Sequence, residues 1–470
     1  MGTAGLVVAV GLPWLLGIAW LRALSQGGDS LADPGRLAWM LGAGWFAGVL
    51  LLTLLMRALG TIGARLSLGT IASATLITLA FVAWIAWRRG RRLKLAAVRS
   101  SLQQLRVTNL GTGKRVVWFA LLGWLTLRAA LLLAEISTRP LFPWDAWSRV
   151  ASKARVYYEL GRVMPFGDAE RWIAGSGSVW FDAGPHDPVT IPLLQAWTAF
   201  ALGRWDDVLL AVPWWFAGVA LALALYGILR MAGLGALAAL AATWLAVSLP
   251  LFDAHVALAG YAEIFLAAFF LLAAFSALQF AITRSRASAL VALLFACALP
   301  LVKSSGAFWL VALIPGTAAA LQPRRAMRIA LTAAGLVAAA LFAATRTRAT
   351  IAGIPLHLDF APAWPTLVEN FLLLDNWHLL WLGVAAVAAM AWRVAITAPL
   401  LPLTLLTGAG IAYVFAIFAF PMLAAWRGDS STMNRAALVV APLACAWMAL
   451  TLAAWSDRWS RRETPIPVRT

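Results

Sequence analysis

The stretch LSLGTIASATLITLAFVAWIAWRRGRR, residues 66–92, joins a long apolar segment to a cluster of arginines. A transmembrane helix needs about 20 apolar residues to cross the hydrocarbon core of a bilayer. This segment supplies them with no charged residue between position 66 and Arg88. Because basic residues that flank a span stay on the cytoplasmic side, the stretch predicts a transmembrane helix that ends in the cytoplasm.

The composition of the whole chain favours the same class of protein. Apolar residues make up 63% of the 470 residues, charged residues make up 12%, and tryptophan occurs 26 times. A water-soluble fold could not cover itself with so little polar surface, so the bilayer must be the main solvent. The first apolar run, residues 4–20, has no basic residue ahead of it and no small-residue cleavage pattern. We therefore expect a retained helix rather than a removed signal peptide.

The net charge of +18 fits nucleic-acid binding only if the basic residues share one soluble surface. Here they lie between apolar runs, and residues 88–115 contain nine basic residues and no acidic one. Charge that flanks a membrane explains this distribution, so we predict no nucleic-acid partner. The same rule makes residues 88–115 a cytoplasmic loop.

Counting apolar runs from this loop predicts an all-α polytopic membrane protein of about 13 transmembrane helices. The runs alternate in direction and leave later arginine clusters in the cytoplasm, provided that Ile191–Leu202 does not cross. That run has about a dozen residues against the ~20 of a span, so we predict a re-entrant or interfacial helix there. The predicted spans are residues 4–24, 37–56, 66–87, 116–134, 208–230, 236–252, 262–282, 287–302, 305–321, 329–344, 377–394, 397–420 and 436–455.

This topology divides the chain into regions with different charge. Nine of the 19 acidic residues lie in one predicted outer loop, between Glu135 and Asp207. Any chemistry is therefore expected on the outer face, although a solvated surface is the usual explanation for an acid-rich loop. The regions are 1–87, the N-terminal transmembrane helices; 88–115, the basic cytoplasmic loop; 116–344, a core that includes the outer loop 135–207; and 345–470, the C-terminal helices with a short cytoplasmic tail.

Within the outer loop, the segment FPWDAWSRVASKARVYYELG, residues 142–161, predicts a helix that lies in the membrane interface. Asp145, Arg149 and Lys153 are spaced four apart, so they would project in one line from the polar face of this helix. An ordinary surface ion pair explains the same spacing. The apolar face would carry Trp147, Val150, Ala154 and Tyr157.

Four short motifs occur in order between residues 116 and 310, all on the predicted outer side. They are WDAW with SKAR (144–147 and 152–155), GPHDPVTIPLLQAW (184–197), HVALAGYAEIFLA (255–267) and LPLVKSSG (299–306). Their order and spacing resemble the GT-C superfamily of integral membrane glycosyltransferases, in particular the bacterial aminoarabinose and lipopolysaccharide-sugar transferases. The segment GDSSTMNRAALVVAPL, residues 428–443, is similar to the last outer segment of that family.

The resemblance implies a GT-C-like fold in the bacterial inner membrane, with an active site that faces the periplasm or the cell exterior. It implies transfer of a hexosyl or pentosyl group, with inversion, from a polyprenyl-phosphate donor to a glycan, lipid or protein acceptor among the membrane lipids. Asp145 would then be the general base that deprotonates the acceptor. The implied substrate-binding residues are Arg149, Lys153, His186, Asp187, His255, Tyr261, Glu263, Lys303 and Arg435.

The chain departs from the family pattern in three places. Glu263 stands where the family more often has Asp, which keeps the charge but extends its reach. Val189 and Thr190 replace a Tyr-Pro pair. Ser304 and Ser305 stand where an acid follows the lysine. The last two changes bear on substrate choice and on activity.

Simpler explanations exist for several of these residues. Lys303 fits phosphate binding because an ionisable residue at the end of an apolar run needs a partner, but it could also snorkel to the interface. Arg427 and Arg435 could grip a phosphate or contact lipid headgroups. His186 and His255 could simply make local hydrogen bonds. No Asp-x-Asp pair or clustered ligand spacing is present, so we predict no metal and no cofactor.

Two other functional classes stay open. A transporter or flippase would place charges at mid-span and show repeated halves with broken helices. Arg128 is the clearest mid-span charge, and the sequence shows no internal repeat. A non-catalytic membrane assembly protein would keep the fold without needing Asp145. Cytosolic nucleotide hydrolysis is unsupported, because no Gly-rich phosphate loop precedes a Lys and a Ser or Thr.

Overall fold

The computed structural model of the chain is almost entirely helical. It describes residues 2–25, 31, 33–91, 98–100, 110–141, 143, 145–175, 179–347, 350–351, 354–355, 359–420 and 430–463. The α-helices are α1 Gly2–Leu24, α2 Arg36–Thr61, α3 Leu68–Arg88, α4 Thr112–Thr138, α5 Ser152–Leu160, α6 Ala169–Ile173, α7 Thr190–Leu202, α8 Val212–Met231, α9 Ala236–Val247, α10 Pro250–Ala257, α11 Glu263–Thr283, α12 Arg286–Val302, α13 Gly306–Ala312, α14 Ile314–Leu321, α15 Ala326–Arg346, α16 Trp364–Val368, α17 Leu380–Ala395, α18 Leu401–Ala419 and α19 Ser430–Glu463.

The remaining regular elements are short. Two π-helical segments occur at Ala146–Ala151 and Glu369–Leu373, and 3-10 turns precede α8 at Leu209–Ala211 and α15 at Pro323–Arg325. Two-residue strands form two pairs. The parallel pair is β1 Phe166–Gly167 with β2 Trp180–Phe181, and the antiparallel pair is β3 Thr350–Ile351 with β4 Ile354–Pro355.

Among the described residues, nine helices are long and apolar enough to cross a membrane. They are α1, α2, α3, α4, α8, α11, α15, α18 and α19, with α8 and α15 counted together with their 3-10 turns. The number is ten if α9 and α10, which are bent by 64° at their junction, form one span. The prediction of an all-α polytopic membrane protein is therefore confirmed. Helices also occupy the predicted positions at α12, α13 with α14, and α17, but they are shorter, so the count of about 13 spans stays a prediction.

Two helices, α9 and α10, occupy the predicted span 236–252. α9 ends at Val247, and Pro250 opens α10. Proline disfavours helical geometry in the residue before it, and it lacks the amide hydrogen that a continuing helix would use. Leu249 is accordingly extended. The bend carries α10 away from the axis of α9 and places His255 on a separate short helix.

Helices α1 and α2 are antiparallel and pack closely through small residues. A side chain on Gly17 would collide with the backbone of Gly44 and Gly48, and one on Gly48 would collide with the Pro13 carbonyl. Small residues at such contacts let membrane helices approach closely. Because residue 13 lies level with residue 48, the start of α1 lies at the same end of the bundle as the end of α2.

Helix α7 has both of its ends at this same end of the bundle. Its first residue, Thr190, accepts a hydrogen bond from Arg57 Nη2 near the end of α2, at 2.8 Å. Near its last residue, the Ala201 carbonyl oxygen would lie 2.5 Å from a Cβ on Gly5, at the start of α1. All 13 residues of α7 are buried. This geometry agrees with the prediction that residues 191–202 do not cross the membrane.

The arginine cluster that follows α3 lies at the opposite end of the bundle. Arg89 Nη1 donates to the Ala23 carbonyl at 3.1 Å, and Arg22 Nη2 donates to the Arg91 carbonyl at 3.1 Å. These contacts join the ends of α1 and α3. The acid-rich loop and these arginines are therefore separated along the bundle, as the positive-inside pattern predicted. Which end faces which compartment stays a prediction.

Candidate active site

At the end of the bundle that carries α7, seven side chains form a series of contacts whose two ends, Lys303 and Ser304, are neighbours in the chain; we call this series the charged ring. Acidic and basic side chains alternate in the ring, and a serine lies at one end. Five separate segments of the chain contribute, so the fold and not local sequence assembles it. The ring consists of Asp145, Arg149, Asp187, Ser304, Lys303, Glu263 and Arg435.

One half of the ring surrounds Glu263, the first residue of α11. Lys303 Nζ donates to Glu263 Oε1, and Arg435 Nη1 lies 3.8 Å from the same oxygen. Arg435 Nη1 also lies 3.0 Å from Asp145 Oδ2. A single glutamate oxygen therefore holds two cations that come from different helices.

The other half of the ring is built on Arg149. Its Nη1 lies 3.9 Å from Asp145 Oδ1, and its Nη2 lies 2.9 Å from Asp187 Oδ2. Ser304 Oγ donates to Asp187 Oδ1 at 3.2 Å, which joins this half to Lys303 through the chain. Ser304, which stands where the GT-C pattern has an acid, thus has a definite partner.

Exposure within the ring is uneven. The Glu263 side chain is only 2% exposed, whereas Lys303, Arg149 and Arg435 are 34%, 35% and 21% exposed. The buried carboxylate therefore fixes cations whose other faces remain accessible. Cations held in this way can meet an anionic ligand without first being ordered, which is the requirement for electrostatic stabilisation of a leaving phosphate.

A glycine lets the segment that carries Glu263 approach Asp145. Gly260 has a φ of +104°, and a Cβ on it would lie 2.5 Å from the Cβ of Ala146. Only glycine combines this left-handed conformation with such a close contact. The next residue is fixed as well, because Trp214 Nε1 donates to the Tyr261 carbonyl at 2.8 Å.

Tyr261 and His255, two of the residues predicted to bind substrate, lie beside the ring. The Arg435 guanidinium carbon is 5.3 Å from the centroid of the Tyr261 ring, a cation–π contact. The His255 and Tyr261 ring centroids are 5.7 Å apart, and His255 Nδ1 lies 2.9 Å from the Leu251 carbonyl oxygen. His186, in contrast, is exposed on the turn before Asp187 and makes none of the ring's contacts described above.

Lys153 corrects one prediction. Its ammonium is buried, 3.2 Å from Asp182 Oδ1, and the two side chains are 1% and 0% exposed. The Arg149 side chain and the Lys153 ammonium both lie against Gly184, so the predicted shared face stands, but the buried Lys153 offers no accessible cation for a substrate.

The predicted apolar face of the same segment is confirmed only in part. Ala154 and Tyr157 are buried, but Trp147 is 48% exposed. Burial raises the pKa of the Tyr157 hydroxyl above its ordinary value, so this group stays neutral near pH 7. The helix is therefore anchored by its later turn, while its first turn carries the ring residues.

Lys153, Asp182 and Gly184 form what we call the buried clamp. Lys153 Nζ donates to the Gly184 carbonyl, and Gly184 N donates to Asp182 Oδ1 at 2.6 Å. A side chain on Gly184 would collide with Arg149 and Asp187. Gly184, which the clamp holds in place, therefore packs directly against the Arg149–Asp187 pair. Sequence reasoning missed Asp182. The available signal was an aspartate two residues before a glycine, which is typical of an Asx-turn.

Two further predictions concern ligands and the last outer segment. Within the described part of the chain, no three His, Cys, Asp or Glu side chains converge in a way that could hold a metal ion. Arg427 lies outside the described residues. Arg435, the other arginine proposed for phosphate binding, is the one that the structure places in the ring.

No family model, curated protein or solved structure matches the chain. The GT-C resemblance therefore depends on the motifs themselves. The first three motifs each contribute one residue to the ring, Asp145, Asp187 and Glu263, and the fourth contributes both Lys303 and Ser304. The similar segment 428–443 contributes Arg435.

Proposed function

We propose that the protein is a GT-C-type glycosyltransferase of the bacterial inner membrane. It would move a hexosyl or pentosyl group from a polyprenyl-phosphate donor to an envelope glycan, lipid or protein acceptor on the periplasmic face. The charged ring carries this proposal, because it joins residues from all four family-like motifs into a single cluster at one end of a membrane bundle. Unrelated surface charges would not be expected to converge from five separate segments into one cluster.

The position of the ring suits a lipid-linked donor. The anomeric carbon of a sugar on a polyprenyl phosphate lies at headgroup level, where a bundle of transmembrane helices ends. Transfer needs cations for the leaving phosphate and a carboxylate for the acceptor hydroxyl. The ring offers Lys303, Arg149 and Arg435 as partly exposed cations, with Asp145 between the two arginines.

In the proposed reaction, the acceptor hydroxyl oxygen attacks the anomeric carbon from the face opposite the phosphate. The bond between that carbon and the phosphate oxygen breaks, and its electron pair leaves with the phosphate. The hydroxyl proton passes to Asp145, and the configuration at the anomeric carbon inverts. The ring cations stabilise the negative charge that develops on the phosphate.

A transporter or flippase is the second candidate, and one observation favours it. Arg128 of α4 forms an ion pair with Asp253 of α10, and both residues line a cavity inside the bundle. Charged pairs within membrane helices often mark a transport pathway. A non-catalytic assembly protein is the remaining alternative, and it would need neither this pair nor Asp145.

The decisive experiment measures sugar transfer from polyprenyl-linked donors in membranes that contain the parent protein or Asp145→Asn. We expect the variant to be at least about 100-fold slower, since general-base catalysis contributes about 10²–10⁴-fold. Asp168→Asn is the matched control. Asp168 lies in the same loop and caps α6 by accepting from Arg171 N at 2.9 Å, a role that asparagine also fills.

The two parts of the proposal fail in different ways. Parent-level transfer by Asp145→Asn would reject the base assignment but leave the enzyme class standing. Absence of transfer by the parent protein with every lipid-linked sugar tried would reject the enzyme class. Movement of an intact lipid across the membrane without sugar transfer would then select the flippase.

A further inference from the structure

A cavity of about 660 Å³ lies between α2, α4, α8, α9 and α10, and we call it the bundle cavity. Its volume falls within the ~300–1,000 Å³ of pockets that enclose small ligands. Its wall is predominantly aliphatic and aromatic, with residues such as Leu125, Val219 and Val247. An apolar molecule is therefore the ligand that fits it.

The bundle cavity is long. Along α8 it extends from Trp215 to Arg230, and 15 residues of α-helix correspond to about 22 Å. An acyl chain in a bilayer covers about half of the ~30 Å hydrocarbon core, so one extended chain fits along this length. Trp215 Nε1 donates to the Ala129 carbonyl at 2.7 Å and joins α8 to α4 at this level.

A cation stands at the far end of the cavity. Arg230 Nη1 donates to the Leu234 carbonyl at 2.6 Å, and Gly35 packs directly against the Arg230 side chain. In the part of the chain that the structure describes, no carboxylate lies within ion-pair distance of Arg230. An arginine at the end of a membrane bundle is the group that complements a lipid phosphate.

The bundle cavity is separate from the charged ring. Phe252, Asp253 and Val256 of α10 line the cavity, whereas the His255 ring of the same helix packs against the Tyr261 ring beside the charged ring. Helix α10 therefore stands between the two. A donor with its phosphate in the ring would have to pass this helix to reach the cavity, whereas a lipid with its phosphate at Arg230 would enter from the other end.

We propose that the bundle cavity binds one acyl chain of a membrane phospholipid whose phosphate pairs with Arg230. The lipid fills a real gap in the packing, since only Trp118 and Ile136 of α4 are buried although α4 has 27 residues. It thereby attaches α4 to the rest of the bundle. This inference does not depend on the proposed enzyme activity.

The test compares lipid retained by the protein after purification in a mild detergent, measured by native mass spectrometry and by extraction. The parent should carry phospholipid at about one per chain. Arg230→Gln, which removes the cation, should lower the retained amount about fivefold, the effect of losing roughly one lipid-facing charge. Arg230→Lys, which keeps the cation, should retain phospholipid near the parent's level.

A second pair of variants tests the chain rather than the headgroup. Ala222→Phe places a ring inside the cavity and should displace the lipid, whereas Ala338→Phe adds the same ring to an exposed face of α15 and should not. Retention of phospholipid at the parent's level in both Arg230→Gln and Ala222→Phe would overturn the proposal. Recovery of polyprenyl phosphate in place of phospholipid would also overturn it and would assign the cavity to the donor.

Discussion

The charged ring and the buried clamp are both made of paired charges at the same end of the bundle, yet they differ in exposure. In the clamp, Lys153 and Asp182 are sealed from solvent. In the ring, the buried Glu263 is surrounded by cations that are between one fifth and about one third exposed. Lys153 and Arg149 lie one turn apart, so neither charge nor sequence position separates the two groups. The two groups differ in solvent exposure. Buried charges stabilise the fold, whereas partly exposed charges can also bind a ligand.

The physical basis of this difference is desolvation. A charge that loses its partner inside the protein stays in a low-dielectric environment, so removing one member of a buried pair is strongly destabilising. A charge that loses its partner near the surface is partly compensated by water. The clamp should therefore respond to mutation through stability, and the exposed cations of the ring should respond through ligand binding and transfer.

Lys153→Met should give the largest effect, because it leaves the Asp182 carboxylate buried without its cation. We expect a loss of about 3–5 kcal/mol in the free energy of unfolding, measured as thermal unfolding of the purified protein. The double variant Lys153→Met with Asp182→Leu should recover most of the loss, since it removes both charges. Unfolding of Lys153→Met at the parent's temperature would contradict a structural clamp.

Lys303→Met should lower the rate of sugar transfer more than it lowers stability. Glu263 keeps Arg435 at 3.8 Å, so the loss of stability should be smaller than for Lys153→Met. Sugar transfer should fall about 100-fold, the effect of removing one group that stabilises transition-state charge. Lys114→Met, at an exposed position near the start of α4, is the matched control and should transfer at the parent's rate. Parent-level transfer by Lys303→Met would remove this lysine from the site.

Gly184→Ala probes the link between the two regions. The new methyl group would collide with Arg149 and Asp187, so the fold must shift by an amount that typically costs about 1–3 kcal/mol. We expect about tenfold slower transfer together with a modest loss of stability. Gly123→Ala is the control, because a Cβ there meets no atom within 4 Å. Equal behaviour of the two variants would mean that the clamp does not support the ring.

The sequence predicted much of the ring, but of the clamp it predicted only Lys153 and gave that residue another role, because only the ring residues mark predicted helix ends. Asp145, Glu263 and Lys303 each stand in a short motif at a predicted helix end, so topology alone brought them to one side. Lys153 was assigned by its spacing from Arg149, which assumes a regular helix. Its true partner lies 29 residues later, and no local pattern encodes such a contact.

The fold was likewise predicted only in part. Apolar runs predicted where helices lie, because the length of a hydrocarbon core sets the length of a span. They did not predict the bend between α9 and α10. A straight helix and a bent one give the same run of apolar residues, although Pro250 stands at the position of the bend. The bundle cavity was equally beyond the sequence, because it depends on how far α4 stands from its neighbours.

The smallest effect is expected at a third kind of pair, the exposed contact of Arg204 with Asp206, whose Nη2 and Oδ2 atoms are 2.8 Å apart. Burial by itself would raise the pKa of Asp206. Hydrogen bonds from the amides of Leu209 and Val208, together with Arg204, outweigh burial and hold the pKa below its ordinary value. A carboxylate with a depressed pKa stabilises the fold above its unfolded pKa of about 3.9, and this stability is lost as the pH falls through the folded value.

Asp206→Asn keeps the oxygen that accepts from the two amides and removes only the charge. At pH 7 the variant should therefore be less stable by no more than about 1 kcal/mol, as for other exposed pairs. As the pH falls through the depressed pKa of the folded parent, its carboxylate becomes protonated as well, so the two unfolding temperatures should converge. Arg204→Gln should show the same convergence. A difference that persists unchanged at low pH would mean that packing, and not charge, makes the contribution of Asp206, and it would place this residue with the clamp.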